Sequence, residues 1–339
     1  MRIGLWMSIV LIFFQGCGQE RPVLVAPSSL EEVYEIADNA NNIRSFILMK
    51  DGKVLREKYY VSYKRDSLDH LRSATKSVMA NLIGIAIDQQ LIKSVDDRIS
   101  DYIDVPDDKK DIRVKHLLGM TSGFKWSEGP GYNDNNRMVN SGNPLKFMMD
   151  LPLVNSPGSE WNYSTGDIHL LSVILTEATG MNTQAYAKKY LFEPLGIKKW
   201  EWQKFGDGYF SGGSRLQLKP RDLLKLGILM SNRGMFNDQR ILSEETHDLL
   251  TDVHNLFEDD QEYQAKAGYG YGWWTASIEG DRIFMASGYG GQTIIVAPKV
   301  NMVLVVTFKW NVGADTAIEQ QQKTQDMGKM TWLWFRENE

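Results

Sequence analysis

The spacing of apolar residues divides the chain into β-rich ends and a helical middle. The segment RSFILMKDGKVLREKYYVSY holds two β-rich runs around Asp51-Gly52, a dipeptide that favours a hairpin turn. Beta character returns late in the chain, in YGYGWWTASI, DRIFMAS, QTIIVAP and NMVLVVTFKW. Between these regions the pattern predicts helices at Thr75–Gln89, Val114–Gly119, Leu145–Asp150, Asp167–Thr179 and Thr183–Leu191. Polar loops such as SEGPGYNDNNRMVNSGNP separate them.

Strands at both ends with helices between them indicate one sheet built from distant segments. The tight spacing of the late strands favours antiparallel pairing. We therefore predict an α/β (α+β) fold, in which an antiparallel sheet flanked by helices carries an inserted all-α subdomain. The sheet part covers about 28–70 and 216–339, and the helical part about 71–215. Further helices are predicted after a cap at Ser28 or Ser29, from near Pro220, and from Asp315 to Phe335.

The amino terminus, MRIGLWMSIVLIFFQGC, is typical of an export signal. Its apolar run, Ile3–Phe14, is shorter than the roughly 20 residues that a membrane-spanning helix needs. Cys17 follows directly and is the only cysteine in the chain, so no internal disulfide is possible. A lone cysteine in this position resembles the lipid-attachment site of bacterial lipoproteins.

We accordingly expect a signal peptide at 1–16, a tether at 17–27 and a catalytic domain at 28–339. The mature protein would be an exported cell-envelope lipoprotein, held at the periplasmic face of a bacterial membrane through a lipid anchor on Cys17. The residues before Cys17 are atypical of a lipoprotein cleavage box. An ordinary signal peptide cut after Ala26 therefore remains an alternative.

Composition and charge narrow the choice of partners and chemistry. The formal net charge is -5 and no Lys/Arg-rich run is present, which does not favour a nucleic-acid partner. The five histidines are scattered, and neither His-Glu-x-x-His nor Cys-x-x-Cys occurs, so we expect no metal and no cofactor. His116, within an apolar helix, is interpreted as a core histidine. The oligomeric state is not predicted.

The stretch HLRSATKSVMANLIGIA places Ser73 and Lys76 in the first turn of an apolar helix. Residues i and i+3 share one helix face, so the hydroxyl and the amine can touch. The positive end of the helix dipole favours a serine alkoxide and disfavours an ammonium. Lowering a lysine pKa from about 10.4 to near 7 requires roughly 4–5 kcal/mol. The dipole supplies about 1 kcal/mol of this, so burial must supply most.

Taken alone, Ser-x-x-Lys is a weak signal. A second copy, Ser122 to Lys125, lies in a glycine-containing loop without a following apolar run, and we interpret it as chance. A helix cap with a solvated lysine is the alternative reading of Ser73 and Lys76.

Several further sequence segments favour a catalytic role for Ser73 and Lys76. In chain order they are SATKSVMANLIGIAIDQQLI, IRVKHLLGMTSGF, PGSEWNYSTGDIHLLSVIL, FEPLGI, GGSRLQLKPRDLLKLG, YGYGWW and ASGYGGQ. Together they resemble the serine β-lactamase-like family, which holds class C β-lactamases, penicillin-binding DD-peptidases and related esterases. The likeness covers roughly residues 40 to 310. It is closer to the 6-aminohexanoate-dimer hydrolase and esterase branch, and it implies a β-lactamase/transpeptidase-like fold.

The resemblance implies catalytic roles for three residues. Ser73 matches the acyl-accepting nucleophile, and Lys76 matches its partner one helical turn on. Tyr163 matches the tyrosine of the family's Tyr-x-Asn motif, which shuttles a proton to the leaving group. We expect the nearby lysine to lower the phenol pKa from about 10. The alternative is a buried tyrosine that hydrogen-bonds near the helix start at Asp167.

Two departures from the family pattern bear on the substrate. Thr165 replaces the asparagine of Tyr-x-Asn, which puts recognition of a substrate amide in doubt. The third block reads Ala286-Ser287-Gly288 where the family has Lys/His-x-Gly. No cation stands there to hold a substrate carboxylate, so β-lactams and D-Ala-D-Ala peptides become less favoured.

The third block still suits an oxyanion site. Gly288 permits close backbone approach, and by analogy Tyr289 offers the second oxyanion N–H beside that of Ser73. Arg215 is a candidate for the missing cation, although a solvated surface arginine is the favoured interpretation. Trp273 or Trp274 is a candidate cleft residue, although core packing is the favoured reading for both.

The sequence therefore predicts a serine hydrolase that acts through an acyl-enzyme on a small ester or amide, without a cofactor. Ser73, Lys76 and Tyr163 would be catalytic, and Thr165, Ser287, Gly288 and Tyr289 would line the substrate and oxyanion site. The alternative is a catalytically silent peptidoglycan- or partner-binding protein on the same scaffold, and a structural envelope lipoprotein is a further rival.

Overall fold

The computed structural model describes residues 26–61, 63–129, 132–260, 265–278 and 280–338. The predicted signal peptide, Cys17 and most of the predicted tether lie outside these residues. Within the described ranges, no helix combines the length and apolar character needed to cross a membrane.

Fifteen strands are found in the described residues. In chain order they are β1 (Ile43–Lys50), β2 (Lys53–Tyr59), β3 (Asp69–His70), β4 (Glu128–Gly129), β5 (Tyr132–Asn133), β6 (Glu201–Trp202), β7 (Leu216–Leu218), β8 (Met235–Phe236), β9 (Gln239–Arg240), β10 (Asn255–Asp260), β11 (Ala265–Tyr269), β12 (Trp274–Ile278), β13 (Asp281–Gly288), β14 (Gln292–Ala297) and β15 (Met302–Phe308).

Ten α-helices accompany them in the same ranges. They are α1 (Leu30–Asp38), α2 (Thr75–Asp88), α3 (Val114–Leu118), α4 (Asp134–Asn140), α5 (Pro144–Asp150), α6 (Thr165–Thr179), α7 (Thr183–Ala187), α8 (Pro220–Ser231), α9 (Glu244–Thr251) and α10 (Ala314–Glu337).

Eight strands form the main sheet, in the order β10-β11-β12-β13-β14-β15-β1-β2. All seven pairings are antiparallel, and the first hairpin docks beside the last strand, β15. Helices α1 and α10 cover one face, while α8 and α2 pack on the other. The inner strands β14 and β15 are buried along their whole length, as expected for strands covered on both faces. The antiparallel sheet flanked by helices is therefore confirmed.

The turn between β1 and β2 is the hairpin that the sequence predicts. Asp51 and Gly52 have φ angles of 49° and 73°, the positive values that a two-residue type I′ turn requires. Met49 pairs with Val54 and Lys50 with Lys53, so the two strands begin pairing directly beside the turn.

The helices between the two halves of the sheet hold the candidate chemistry. The first eleven residues of α6 and the first twelve of α2 are all buried, which explains their weak amphipathic pattern. All five helices predicted in this region form, and residues 188–192 continue α7 as a π-helical turn. The polar loop prediction is wrong at α4, where the Asn133 side chain caps the helix by accepting from the Asn136 amide. The boundaries of the helical part, near 71 and 215, stay predictions.

Candidate active site

Ser73 and Lys76 meet where a single 3₁₀ turn, Arg72–Ala74, leads into α2. The Lys76 Nζ atom lies 3.0 Å from Ser73 Oγ, which is hydrogen-bonding distance. Arg72 has a φ angle of 52°, in the left-handed region that few non-glycine residues occupy. The i, i+3 spacing in the sequence thus brings hydroxyl and amine together in the folded chain.

The Lys76 amine is buried and fully surrounded by acceptors. Its side chain is 2 % exposed, and besides Ser73 it donates to Thr165 Oγ1 at 2.9 Å and to the Gly213 carbonyl at 3.0 Å. A neutral amine has two N–H groups and one lone pair. With the N–H groups on Thr165 and Gly213, that lone pair is left for the hydroxyl of Ser73.

Burial lowers the pKa of Lys76 to about 8. Two charges act in opposite directions on the same group: the Glu128 carboxylate raises this pKa, and the Arg72 guanidinium lowers it. The predicted lowering is confirmed, and so is the expectation that burial contributes most.

Tyr163 closes a triangle with these two residues. The Lys76 Nζ atom lies 4.9 Å from the centroid of the Tyr163 ring, and a side-chain hydrogen bond joins Tyr163 to Ser73. On its other side the ring stacks on Trp274, with centroids 5.9 Å apart and planes 11° from parallel. The predicted core packing holds for Trp273, which is 1 % exposed, whereas Trp274 forms a wall of the site.

The expected lowering of the phenol pKa is wrong. Burial raises the pKa of Tyr163 well above 10, and the Glu128 carboxylate raises it further, while the hydrogen bond with Ser73 acts weakly the other way. The physical reason is that the cost of desolvating a buried phenolate outweighs any stabilisation by the neighbouring Lys76. Tyr163 is thus a neutral O–H donor in the resting site.

Thr165 accepts a hydrogen bond from the lysine, and its amide binds Glu128, an acidic residue that the sequence does not mark. The Thr165 side chain is 2 % exposed and accepts from Lys76, while its amide donates to Glu128 Oε1 at 2.6 Å. The indole Nε1 of Trp126 donates to the same oxygen at 2.9 Å. Glu128 lies in a polar segment without periodicity, so its place in the site becomes visible only through its hydrogen bond with the first residue of α6.

The end of β13 packs against the turn that carries Ser73. A Cβ atom on Gly288 would overlap the carbonyl oxygen of Leu71 and lie 3.2 Å from the amide nitrogen of Ala74. In the described part of the chain, neither the Ser73 amide nor the Tyr289 amide donates a hydrogen bond to a protein acceptor. Two free N–H groups beside the nucleophile are what an oxyanion site requires.

The remaining predicted residues lie at the edge of this arrangement. Ser287 is 8 % exposed and pairs with Thr293 on the neighbouring strand. The Tyr289 hydroxyl donates to the Val312 carbonyl at 3.1 Å, so this side chain is held by a loop.

His116 is buried and its Nδ1 accepts from the Arg113 amide at 3.1 Å, which confirms its interpretation as a core histidine.

The second Ser-x-x-Lys does not form a comparable pair. Ser122 is buried and donates to Asp167 Oδ1 at 2.9 Å, while Lys125 is exposed. The interpretation of this copy as chance is confirmed. Among the described residues, no group of three or more His, Cys, Asp or Glu side chains is arranged to hold a metal ion.

Comparison with known proteins identifies relatives and solved structures that share the fold described above. The β-lactamase family model matches residues 44–326. The 6-aminohexanoate-dimer hydrolase of Paenarthrobacter ureafaciens is 22% identical over 293 residues, which are 78% of this chain and 72% of that protein. The solved structure of a putative β-lactamase from Bacteroides dorei superposes with a TM-score of 0.74 at 17% identity, covering 92% of this chain and 100% of that one.

A further solved structure, of a hydrolase with promiscuous acyltransferase activity, has a TM-score of 0.67 at 18% identity and covers 88% of this chain and 97% of that one. The names of the relatives and structural neighbours include hydrolases, a putative β-lactamase and penicillin-binding protein homologues. The resemblance seen in the sequence motifs is confirmed, as is the β-lactamase/transpeptidase-like fold. Matched over most of its length, this chain belongs to the β-lactamase family.

Proposed function

We propose that this protein is a serine hydrolase that cleaves a small ester or amide through an acyl-enzyme on Ser73. The observation that carries the proposal is the 3.0 Å contact between the Ser73 hydroxyl and a lysine amine whose pKa burial lowers to about 8. A buried amine with a lowered pKa, in hydrogen-bonding contact with a hydroxyl, is suited to act as the general base for a nucleophile.

Acylation follows from the proton positions. Neutral Lys76 takes the proton of Ser73, and Oγ attacks the carbonyl carbon of the substrate. The oxygen of that carbonyl becomes an oxyanion, which the amides of Ser73 and Tyr289 stabilise. As the C–O or C–N bond breaks, the Tyr163 phenol gives its proton to the leaving group. Lys76 then passes the proton it took to the phenolate oxygen, which restores the neutral amine and the neutral phenol.

Deacylation reverses these roles. Water enters where the leaving group departed, and the Lys76–Tyr163 pair removes its proton as it attacks the acyl carbon. The oxyanion forms again at the same two amides, and its collapse breaks the bond to Ser73 Oγ, which recovers a proton. No step needs a cofactor.

The names of the relatives support this chemistry. One is a hydrolase of the 6-aminohexanoate dimer, an amide, and one neighbour is a hydrolase with acyltransferase activity, which fits an acyl group carried by the enzyme. We also propose that the protein is exported and held to a membrane through a lipid on Cys17. Membrane fractionation of wild type and Cys17→Ser tests this, because loss of the anchor should release the variant.

The test of the function combines labelling with turnover. A fluorophosphonate should add to Ser73 in wild type, as seen by mass spectrometry of the labelled peptide, and Ser73→Ala should abolish both labelling and turnover without unfolding the chain. Nitrophenyl esters, a chromogenic cephalosporin and short amides serve as substrates. Substantial hydrolysis by Ser73→Ala excludes Ser73 as nucleophile. An unlabelled, inactive wild type favours the silent binding protein.

A further inference from the structure

Two arginines beside Ser73 have no carboxylate partner among the residues that the structure describes. Arg72 immediately precedes Ser73, and Arg215 follows two residues after Gly213, whose carbonyl binds Lys76. In the described ranges most arginines have a carboxylate oxygen within 4.0 Å, but neither of these two does. A charge that is partly removed from water and has no partner costs free energy in the folded protein. A bound anion would offset this cost for both arginines.

Arg72 and Arg215 lie on neighbouring backbone segments, because the Leu71 amide donates to the Leu216 carbonyl at 2.9 Å. Burial lowers the pKa of Arg72, and the charge of Arg215 lowers it further. Burial together with both arginines also lowers the pKa of His70, to about 4. His70 is therefore neutral near pH 7, and its Nδ1 accepts from the Arg72 amide at 3.0 Å. The three side chains thus form one cationic patch of two charges.

Aromatic rings fix this patch in place. The Arg72 guanidinium carbon lies 5.4 Å from the ring centroid of Tyr289 and 5.3 Å from that of Trp310. Arg215 lies 5.4 Å from the Phe205 centroid and donates to Gln203 Oε1. Each guanidinium has five N–H groups, and both side chains are partly exposed, so most of these donors remain available to a ligand.

The backbone conformation at the two arginines supports a binding site there. Arg72 and Arg215 both have positive φ angles, 52° and 68°, which are uncommon for residues with a side chain and cluster at functional sites. The Tyr289 amide is the proposed oxyanion donor, and the ring of the same residue faces Arg72. The cationic patch and the oxyanion site therefore share a wall.

We propose that Arg72 and Arg215 bind a carboxylate of the substrate, so that the protein acts on anionic esters or amides. This rests on the proposed hydrolase function and names its substrate class. A guanidinium binds a carboxylate through two parallel N–H···O contacts, which fixes both distance and orientation. The Arg72 guanidinium faces the ring of Tyr289, whose amide is the proposed oxyanion donor, so the bound carboxylate lies on the same side of the site as the scissile carbonyl.

The experiment compares 4-nitrophenyl hydrogen adipate with its neutral methyl-capped counterpart, 4-nitrophenyl methyl adipate. For wild type we expect kcat/KM to be about tenfold to hundredfold higher on the anionic ester, the range of hydrogen bonds between charged groups. This preference should fall with rising ionic strength. The ratio of the two kcat/KM values is the readout, because any change in the reactivity of Lys76 affects both esters alike.

In the double variant Arg72→Gln/Arg215→Gln the ratio should fall to near one. Arg72→Lys/Arg215→Lys should keep part of the preference, since the charge is retained. Arg240→Gln, which removes a surface arginine paired with Glu244, is the matched control and should keep the wild-type ratio. Circular dichroism checks that each variant is folded.

A ratio near one in wild type, or one that the double glutamine variant retains, overturns the proposal while leaving the hydrolase function standing. Failure of the function itself looks different: neither ester is cleaved and Ser73 is unlabelled. Calorimetric titration with the mono-4-nitroanilide of adipic acid then decides, since binding that the double glutamine variant loses supports the anion site, and absence of binding overturns it.

Discussion

Replacing Glu128 by glutamine should lower the pH at which the enzyme becomes active. The proposed base is neutral Lys76, so kcat/KM should rise with pH through the lysine pKa, at about 8. The Glu128 charge raises that pKa by stabilising the ammonium. Glutamine keeps a carbonyl oxygen that can accept from the Thr165 amide and from Trp126, so the substitution removes the charge and preserves the contacts.

The size of the shift can be worked from the contacts through Thr165. Lys76 Nζ lies 2.9 Å from the Thr165 hydroxyl, and Glu128 Oε1 lies 2.6 Å from the Thr165 amide. With the threonine between them the charges are at most about 8 Å apart, which gives about 2 kcal/mol at an effective dielectric constant of ~20 and about 0.5 in water. Because Glu128 is partly exposed, we take roughly 0.5–1 kcal/mol. This corresponds to about 0.4–0.7 pKa units downward.

The assay is the pH dependence of kcat/KM on a neutral nitrophenyl ester. Glu35→Gln, which removes an exposed carboxylate on α1, is the matched control and should leave the midpoint unchanged. Arg72→Gln should move the midpoint upward, because the arginine lowers the lysine pKa. A Glu128→Gln midpoint that stays in place or rises would refute the assignment of Lys76 as the base controlled by these two charges.

Three further substitutions test other parts of the site. Tyr163→Phe removes the proton donor and should lower kcat by about 10²–10⁴-fold at unchanged stability; a kcat near that of wild type would exclude the phenol. Gly288→Ala forces the end of β13 away from the Leu71 carbonyl and should cost about 10²–10³-fold in kcat, whereas Gly313→Ala, with open space around it, should cost little. Asp167, whose pKa burial raises to about 7 from 3.8, should destabilise the fold as pH rises through that interval, by up to about 4 kcal/mol. Urea unfolding should show this loss between pH 4 and pH 7 in wild type but not in Asp167→Asn, and an equal loss in both would contradict it.

The parts of the molecule that could be predicted are those set by short spacings. The Asp51-Gly52 turn fixes the first hairpin through two positive φ angles, and the i, i+3 relation alone brings the Lys76 amine to Ser73. The late strands pair with their neighbours along the chain, so their antiparallel order follows from their close spacing. Within the main sheet of the described residues, the pairing of β1 with β15 is the one that joins segments from opposite ends of the chain.

The electrostatics of the site could not be predicted, because they depend on residues distant in the chain. Glu128 reaches Lys76 only through Thr165, 37 residues later, and nothing in its own segment marks it. Nothing in the sequence marks Arg72 although it adjoins Ser73, because its lack of a carboxylate partner among the described residues is a property of the folded chain. For Tyr163 the sequence indicated the neighbour, Lys76, but not the burial that outweighs it.

The opposite shifts of Lys76 and Tyr163 assign the acid and the base. Burial destabilises whichever form is charged, so one desolvating pocket lowers the pKa of an amine and raises that of a phenol. In free side chains these two values are close, near 10.4 and 10, and either group could hold the proton. In this pocket the lysine titrates near 8 and the phenol well above 10, so above about pH 8 the lysine has lost its proton while the tyrosine keeps its own. The transfer from Ser73 to Lys76 and from Tyr163 to the leaving group therefore starts from two uncharged partners, which is the state that a water-poor pocket stabilises.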